Sequence, residues 1–283
     1  MIRLFLTERQ QLNLPLINGA PISDSRPMLL TRQEYIRDIF GRERRFPYRD
    51  QVYCYTPFES DGNILTGVVA RERTVKIGMP PEAHYQTAMV PDWDTSNVFV
   101  DISGDIDGQK IAMQESPVVG QPLAILRSFM DSINRDNLLQ KWTIIVNNIT
   151  SDDDFWSAVS KYKGRIAEID MVFAAPNIWG GQTETEKALR ELNKINGMTE
   201  TEVKIKNPEG KIDPGSADDG GAIAESVNYI RRGGGSIKMK STRRRPIYNS
   251  DNHVVKKSPN EDYAVQAAER SVVLALAKWL LDR

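Results

Sequence analysis

The sequence has very little cysteine or histidine on which to build a reactive site. Its single thiol, Cys54, excludes an internal disulfide and a cysteine-based zinc site. Its two histidines, His84 and His253, are too few or wrongly spaced for an H-E-x-x-H zinc protease or a two-histidine iron site. The sequence also lacks a G-x-S-x-G elbow, a G-x-x-x-x-G-K-[ST] phosphate loop and a G-x-G-x-x-G fingerprint. If the protein is an enzyme, we expect carboxylates to carry its chemistry.

Long hydrophobic runs are missing as well. No apolar run approaches the ~20 residues that span a bilayer, and the N-terminal apolar stretch is too short for a signal peptide. Hydrophobic residues make up 40% of the 283 residues and charged residues 27%, a balance typical of a globular chain. We therefore expect a cytoplasmic protein of a bacterium or phage, without membrane contact and with one large domain or two ordinary ones.

The pattern of apolar residues predicts an α+β fold, mixed in strands and helices. Residues 1–96 read as a β-rich subdomain with one short helix at 32–40, which a Thr31–Glu34 capping pattern begins. Residues 97–283 read as a mixed sheet with flanking helices, and Pro91 with the polar residues up to Asn97 suggests the boundary. A serine cap at Ser258 predicts a long C-terminal helix from about Pro259 to Leu281.

What the sequence does contain is a basic, glycine-rich segment at residues 231–257. It holds nine Lys or Arg and one acid, for a local charge of +8; the whole chain is −1, so the remaining residues sum to −9. Such a separation of charge favours a polyanionic partner, most simply nucleic acid. The basic residues are Arg231, Arg232, Lys238, Lys240, Arg243, Arg244, Arg245, Lys256 and Lys257.

This segment is predicted to form a basic hairpin. Lys238 and Lys240 alternate with apolar residues, which places both lysines on one face of a strand, and Arg243 to Arg245 would follow in the turn. Tyr248 could offer a stacking surface, and the Gly233–Gly235 triplet reads as a turn or a close backbone approach. Two alternatives stay open: the charges protect an edge strand, or they dock an acidic protein partner.

A second basic stretch, from Arg32 to Arg49, interleaves arginines with aromatic residues and includes Arg44 and Arg45. Cations beside aromatic rings suit single-stranded nucleic acid, because bases stack while phosphates pair with the cations. Acids lie among these arginines, however, so a mixed surface above an aromatic core is the alternative.

Carboxylates supply the candidate catalytic residues. Glu202 and Lys204 on a predicted strand have the E-x-K spacing of many restriction-type nucleases, in which the acid holds a metal ion and the lysine stabilises developing charge. Such a site needs a further acid on a neighbouring strand, and Asp170 is the candidate. Asp101, Asp105 and Asp107 lie around a predicted hairpin and are further candidates to hold a divalent metal ion. We predict no cofactor unless the nuclease reading holds, in which case Mg²⁺ is expected.

Three stretches give the chain its wider likeness: residues 61–71 (DGNILTGVVAR), 98–102 (VFVDI) and 108–112 (GQKIA). Their layout resembles certain bacterial proteins of unassigned function encoded in mobile elements and phage-defence loci. The resemblance implies a defence or element-borne factor that works with partner proteins, and it assigns no catalytic residue.

Three functional hypotheses follow. The leading one is a nucleic-acid-binding component of a bacterial multi-protein system, which contacts phosphates through residues 231–257, with Arg44 and Arg45 on a second surface. The second is a metal-dependent nuclease that uses Glu202, Lys204 and Asp170. The third is a non-catalytic interaction protein that docks an acidic partner protein or a second copy of itself.

Overall fold

The computed structural model describes residues 1–8, 30–104, 108–138, 140–151, 153–174, 187, 191, 200–218, 220–259 and 268–282. Within these residues the fold has two antiparallel sheets, five α-helices and more strand than helix, so the α+β prediction is confirmed. The helices are α1 (Arg32–Phe40), α2 (Pro122–Asp136), α3 (Asp153–Lys161), α4 (Ala222–Tyr229) and α5 (Arg270–Leu281). No helix in this part of the chain is long and apolar enough to cross a bilayer.

The larger sheet has seven strands and curls around one core. In spatial order they are β2 (Arg44–Tyr48), β3 (Gln51–Asp61), β4 (Ile64–Gly78), β5 (Thr87–Asp101), β6 (Lys110–Met113), β1 (Ile2–Glu8) and β7 (Trp142–Asn148). Helices α1 and α2 cover its inner face. Phe40, Tyr55 and Phe129 meet there with ring centroids 5.5–5.8 Å apart, so aromatic packing fixes both helices on the sheet.

The second sheet has four strands in the order β11 (Pro246–Asn249), β10 (Gly235–Ser241), β8 (Ile166–Ala174) and β9 (Glu200–Lys206). Alternating residues such as Ile169, Ile237 and Met239 are buried on one face, against α3 and α4. Because side chains alternate along a strand, the polar residues between them share the opposite face. That polar face carries most of the charges that the sequence analysis singled out.

The local predictions and the structure agree closely for several elements. Helix α1 spans 32–40 as predicted, and Thr31 and Glu34 form the full capping box: the Thr31 amide donates to Glu34 Oε2 at 2.8 Å. The C-terminal helix is shorter than predicted, because Ser258, Pro259, Ala268 and Glu269 are not helical and α5 begins at Arg270. The sequence also predicts a strand near Val254–Val255, where the structure has only an isolated bridge between Val254 and Thr150. A capping box at Thr183 to Glu186 also predicts a helix that ends at Asn196, and this stretch lies almost wholly outside the described residues.

The predicted boundary near residues 91–97 falls within β5, which continues through Pro91 and pairs with β4 along its whole length. The Met79 amide donates to the Gln86 carbonyl at 2.8 Å. Because backbone N–H and C=O groups point alternately to the two sides of a strand, the odd-numbered residues of β4 before Met79 direct theirs toward β5. Thr74 and its partner Pro91 therefore form a non-hydrogen-bonded pair, and the missing amide of Pro91 faces away from β4. Pro91 therefore removes no hydrogen bond between β4 and β5. The strands before and after the predicted boundary at residue 96 belong to one sheet.

A glycine triplet joins the two sheets. After α4, a π-helical segment at Ile230–Gly234 leads directly into β10. Gly233 has φ +89° and packs so closely on β1 that a Cβ atom would lie 2.6 Å from the Arg3 Cβ. A Cβ atom on Gly235 would collide with the Val172 carbonyl of β8. The predicted use of these glycines as backbone-approach positions is confirmed, since only glycine allows both contacts.

We predict that Gly235→Ala destabilises the protein by at least about 2 kcal/mol, because the new methyl group meets backbone that cannot rotate away. Chemical denaturation followed by circular dichroism measures the loss. Gly78→Ala is the matched control: Gly78 also lies in the sheets, has no neighbouring heavy atom within 4 Å of an added Cβ, and should change stability by less than about 1 kcal/mol. Equal losses in both variants would contradict this account of the junction.

Candidate nucleic-acid interface

The basic residues of the 231–257 segment do not form one surface. The structure divides them among the glycine junction, strand β10, the β10–β11 turn and a contact near the end of α5. Arg231 and Arg232 lie in the junction, where both are half-buried. The Arg231 carbonyl accepts a hydrogen bond from the Thr150 amide at 3.0 Å, and the Arg232 carbonyl accepts one from Arg3 Nη1 at 3.5 Å. These two residues therefore hold the sheets together through their backbone.

Lys238 and Lys240 share one face of β10, as predicted, but acids stand beside them on β8. Lys240 pairs in register with Glu168, and Lys238 with Asp170. The Lys240 Nζ lies 2.6 Å from Glu168 Oε1, and this hydrogen bond holds the pKa of Glu168 below its ordinary value. Opposite charges thus alternate across the strands, and the charge of Lys240 is balanced within the protein.

Strand β9 extends this pattern, which we call the charge ladder: Lys204, Lys206, Glu168, Asp170, Lys238 and Lys240 on the polar face of the second sheet. Lys206 Nζ lies 3.9 Å from Glu168 Oε2, and Lys204 Nζ lies 3.4 Å from Asp170 Oδ2. A basic residue count alone overstates the positive charge of this face, because acids from β8 run along its centre.

The three nuclease candidates do come together. Asp170 pairs in register with Lys204, and Lys204 Nζ also lies 2.6 Å from Glu202 Oε1. The hydrogen bond with Lys204 lowers the pKa of Glu202, and the same bond raises the pKa of Lys204. The lysine ammonium therefore links the two carboxylates. Among the described residues, no group of three or more His, Cys, Asp or Glu is arranged to hold a metal ion.

The turn of the β10–β11 hairpin carries Arg243, Arg244 and Arg245, and all three side chains are exposed. The Ser241 amide donates to the Arg245 carbonyl at 2.9 Å and the Arg244 amide to the Ser241 carbonyl at 2.7 Å, so the turn is closed by its own backbone. The predicted hairpin with arginines at its turn is present, although it spans residues 235–249 rather than the whole of 231–257.

This turn lies against a second basic loop that the sequence analysis did not single out. The Thr242 amide donates to the Arg165 carbonyl at 3.1 Å, which fixes the hairpin turn beside the loop between α3 and β8. Lys163 and Arg165 of that loop and Lys161 at the C-terminal end of α3 are all exposed. We call the combined surface the hairpin-end cluster. It consists of Lys161, Lys163, Arg165, Arg243, Arg244 and Arg245.

The hairpin-end cluster differs from the charge ladder because its cations have no acidic partners in the part of the chain that the structure describes. Nearby Lys211, by contrast, pairs with Glu209 at 2.6 Å. Tyr162 lies within the loop, half-buried, with Lys161 Nζ 5.6 Å from its ring centroid. The sequence signal was the short run K-Y-K-G-R at 161–165, whose three cations are distant in sequence from the arginines that they join.

Lys256 and Lys257 belong to a different region. Lys256 Nζ pairs with Glu115 Oε1 at 2.8 Å. Lys257 Nζ donates to the Trp279 carbonyl at 2.8 Å and lies over the Trp279 ring, 5.4 Å from its centroid. This lysine therefore satisfies backbone carbonyls at the C-terminal end of α5, where a positive charge is favourable.

The N-terminal arginines are largely engaged within the protein. Arg44 pairs with Asp38 at 3.1 Å and donates to the Ile39 carbonyl at 3.2 Å, whereas Arg45 is exposed on β2. The aromatic residues beside them are core residues: Tyr35, Phe40, Phe46, Tyr53 and Tyr55 are all buried. Tyr248 is also buried, between Phe155 and His253. None of these six rings can stack on a nucleotide base without unfolding its surroundings.

Of the remaining acidic residues considered as metal ligands, Asp101 is a turn residue, and the other two lie outside the described residues. Asp101 Oδ1 accepts a hydrogen bond from the Ser103 amide at 2.8 Å, which is the usual role of an aspartate in a turn. Asp105 and Asp107 lie outside the described residues.

Comparison with known proteins adds no functional assignment: no family model, curated protein or solved structure matches this chain.

We predict that the Glu168 carboxyl titrates below its ordinary pKa and that Lys240→Met returns it toward the ordinary value, because the mutation removes the nearest donor. Since the folded pKa is the lower one, the stabilising contribution of Glu168 is complete above its unfolded pKa and is lost as the pH falls through the folded value. Carboxyl NMR titration of the two proteins measures this. Identical Glu168 titrations would contradict the ladder.

Proposed function

We propose that this protein binds nucleic acid through the hairpin-end cluster. The observation that supports this most directly is that two separate loops bring six exposed cations together without acidic partners among the described residues. Grouping like charges costs energy in the free protein, and a polyanion that neutralises them recovers it. The charge ladder next to the cluster shows that this chain places acids beside lysines elsewhere.

The composition of the cluster favours phosphates over the carboxylates of an acidic protein. Four of its six members, Arg165 and Arg243 to Arg245, are arginines, whose planar guanidinium groups can each donate two parallel hydrogen bonds to a phosphate. The turn and the loop present these groups from backbone that is held by hydrogen bonds, which limits the entropy lost on binding.

Sequence specificity is expected to be weak. The cluster lies on a hairpin turn and a loop, and it includes no helix aimed at a groove and no exposed set of aromatic rings. Phosphate contacts position a protein on nucleic acid but read no bases. The resemblance to proteins of phage-defence loci supports a place for this binding in a bacterial multi-protein system.

We predict a steep fall of affinity with salt. If all six cations contact phosphates, the slope of log K against log salt is about −5, or about a thousandfold loss between 50 and 200 mM salt. Fluorescence anisotropy with labelled DNA and RNA measures it. The variant Arg243→Gln/Arg244→Gln/Arg245→Gln should weaken binding at least about tenfold and reduce the slope by about 3.

A matched control tests whether location or total charge matters. The variant Lys206→Gln/Lys256→Gln/Lys278→Gln removes the same number of charges from lysines that already pair with acids away from the cluster, so binding should change little. Equal losses in both variants would show that only net charge acts. The proposal fails if the unchanged protein binds neither DNA nor RNA at low salt, and recovery of an acidic protein alone on purification would favour the docking hypothesis.

A metal-dependent nuclease is the second candidate, and one observation favours it. Asp170 Oδ1 is buried without a hydrogen-bond partner in the part of the chain that the structure describes, and Glu202 lies beside the same lysine. Two carboxylates suffice to hold Mg²⁺ when substrate phosphates and water complete its ligands, and Lys204 would stabilise charge on the scissile phosphate.

This candidate predicts cleavage of DNA or RNA that depends on Mg²⁺ or Mn²⁺ and is abolished by Glu202→Gln, because one of the two metal-binding carboxylates is lost. Gel analysis of products measures it. Glu200→Gln changes the neighbouring acid of the same strand and should leave cleavage intact. Uncleaved substrate after prolonged incubation with either metal rejects the nuclease while leaving the binding proposal untouched.

A further inference from the structure

The outer halves of β4 and β5 form a two-stranded ribbon that extends beyond the rest of the large sheet. The pairing of β4 with β3 ends at Arg71, and the pairing of β5 with β6 begins only at Val98. Residues 72–78 and 87–93 pair with each other alone within the described structure. We call this ribbon the β4–β5 arm. A two-stranded ribbon is marginally stable by itself in water, so its faces require an explanation.

One face of the arm is locked by its own ion pairs. Arg73 pairs with Asp92 at 2.6 Å and with Asp94 at 3.3 Å, and Arg71 pairs with Asp94 at 3.0 Å. These bonds raise the pKa of Arg73 and lower that of Asp92. The charges on this face are therefore satisfied across the two strands of a single copy.

The opposite face is exposed and has no such pairs. Three register pairs form it: Glu72 with Trp93, Thr74 with Pro91, and Lys76 with Met89. All six side chains are exposed, including Trp93 at 47% and Met89 at 65%. Neither Glu72 nor Lys76 has an ion pair among the described residues. Large apolar side chains left in water beside unpaired charges mark an interaction surface.

The arrangement of this face is complementary to itself. Thr74 and Pro91 are at its centre, with an acid and a tryptophan on one side and a base and a methionine on the other. Each side lies two residues from the centre, about 7 Å along the strands. If a second copy is turned end for end and laid on this face, Glu72 meets Lys76 of that copy and Trp93 meets Met89.

We propose that two copies of this protein associate by stacking these arm faces across a two-fold axis at Thr74 and Pro91. A two-fold interface makes every contact twice, so the dimer gains two ion pairs and two tryptophan–methionine contacts. Methionine sulfur against an aromatic ring is a favourable contact beyond its buried area. Charge complementarity thus selects a second copy in this one antiparallel orientation, because the parallel orientation lays Glu72 over Trp93 and Lys76 over Met89 and forms no ion pair.

The size of the surface fits a reversible dimer. The six-residue face covers less than the ~800 Å² per partner of a standard interface. The stacked arrangement adds the tip of each arm, where Met79 is 39% exposed and Tyr85 is 75% exposed, against the base of its partner's arm. We expect a dissociation constant on the order of 10 μM, typical of weak interfaces with few central anchors.

Sedimentation equilibrium of the full chain between about 1 μM and 1 mM tests this, with dimer predominating at the upper end. Lys76→Glu places Glu72 of each copy opposite the new acid and should weaken association at least about a hundredfold. Glu72→Lys should do the same. The double variant Glu72→Lys/Lys76→Glu exchanges the charges and should restore association to within about threefold of the original.

A charge reversal outside the arm serves as control. Lys211→Glu should leave association unchanged, since this residue lies beside Ile166 of β8, distant in the fold from β4 and β5. Recovery in the double variant is decisive, because misfolding of the single variants cannot produce it. A monomer at every concentration, a dimer unaffected by Lys76→Glu, or a double variant that fails to recover would each overturn the proposal.

Discussion

The fold depends on the close approach of strands β1, β8 and β10, which the glycine triplet at residues 233–235 permits. Gly233 lies on Arg3 of β1 and Gly235 lies on Val172 of β8, so one short segment contacts both sheets with backbone alone. The Thr150 amide and the Arg3 guanidinium bond to the carbonyls of the same segment. Because strand β10 leaves directly from this junction, the position of the hairpin and of its basic turn is set here. Side-chain packing elsewhere refines an arrangement that the junction imposes.

Much of the secondary structure could be predicted because its signals are local. The Thr31–Glu34 capping box and the alternation of β10 both lie within a few residues of the elements that they specify. The course of β5 could not be read in the same way. From the sequence alone, Pro91 predicts that the strand ends. The structure shows that the side of Pro91 without an N–H group faces away from β4. This follows from its pairing with Thr74, which lies far from it in sequence.

In the candidate site, too, the features with local sequence signals could be predicted, and those that depend on distant strand pairing could not. Residues 238 and 240 were correctly placed on one face, but the acids that balance this face, Glu168 and Asp170, arrive from a strand far earlier in the chain. The arginines of the turn were predicted, whereas their companions at 161–165 are joined to them only by the bond from Thr242 to Arg165. A count of charges in sequence therefore identifies basic segments, and strand pairing decides which of their charges remain unbalanced.

The charges of the polar face are balanced, whereas those of the neighbouring hairpin-end cluster are not, so the second sheet has an electric dipole. With Glu200 and Glu202 of β9 included, its polar face carries four lysines and four acids and is close to neutral, while the end that carries Arg165 and Arg243 to Arg245 is strongly positive. In the field of a polyanion such a molecule experiences a torque that turns its positive end forward before contact. If the hairpin-end cluster binds a polyanion as proposed, the acids of β8 raise the rate of productive encounters without touching a phosphate, since they keep the broad face from competing with the hairpin end.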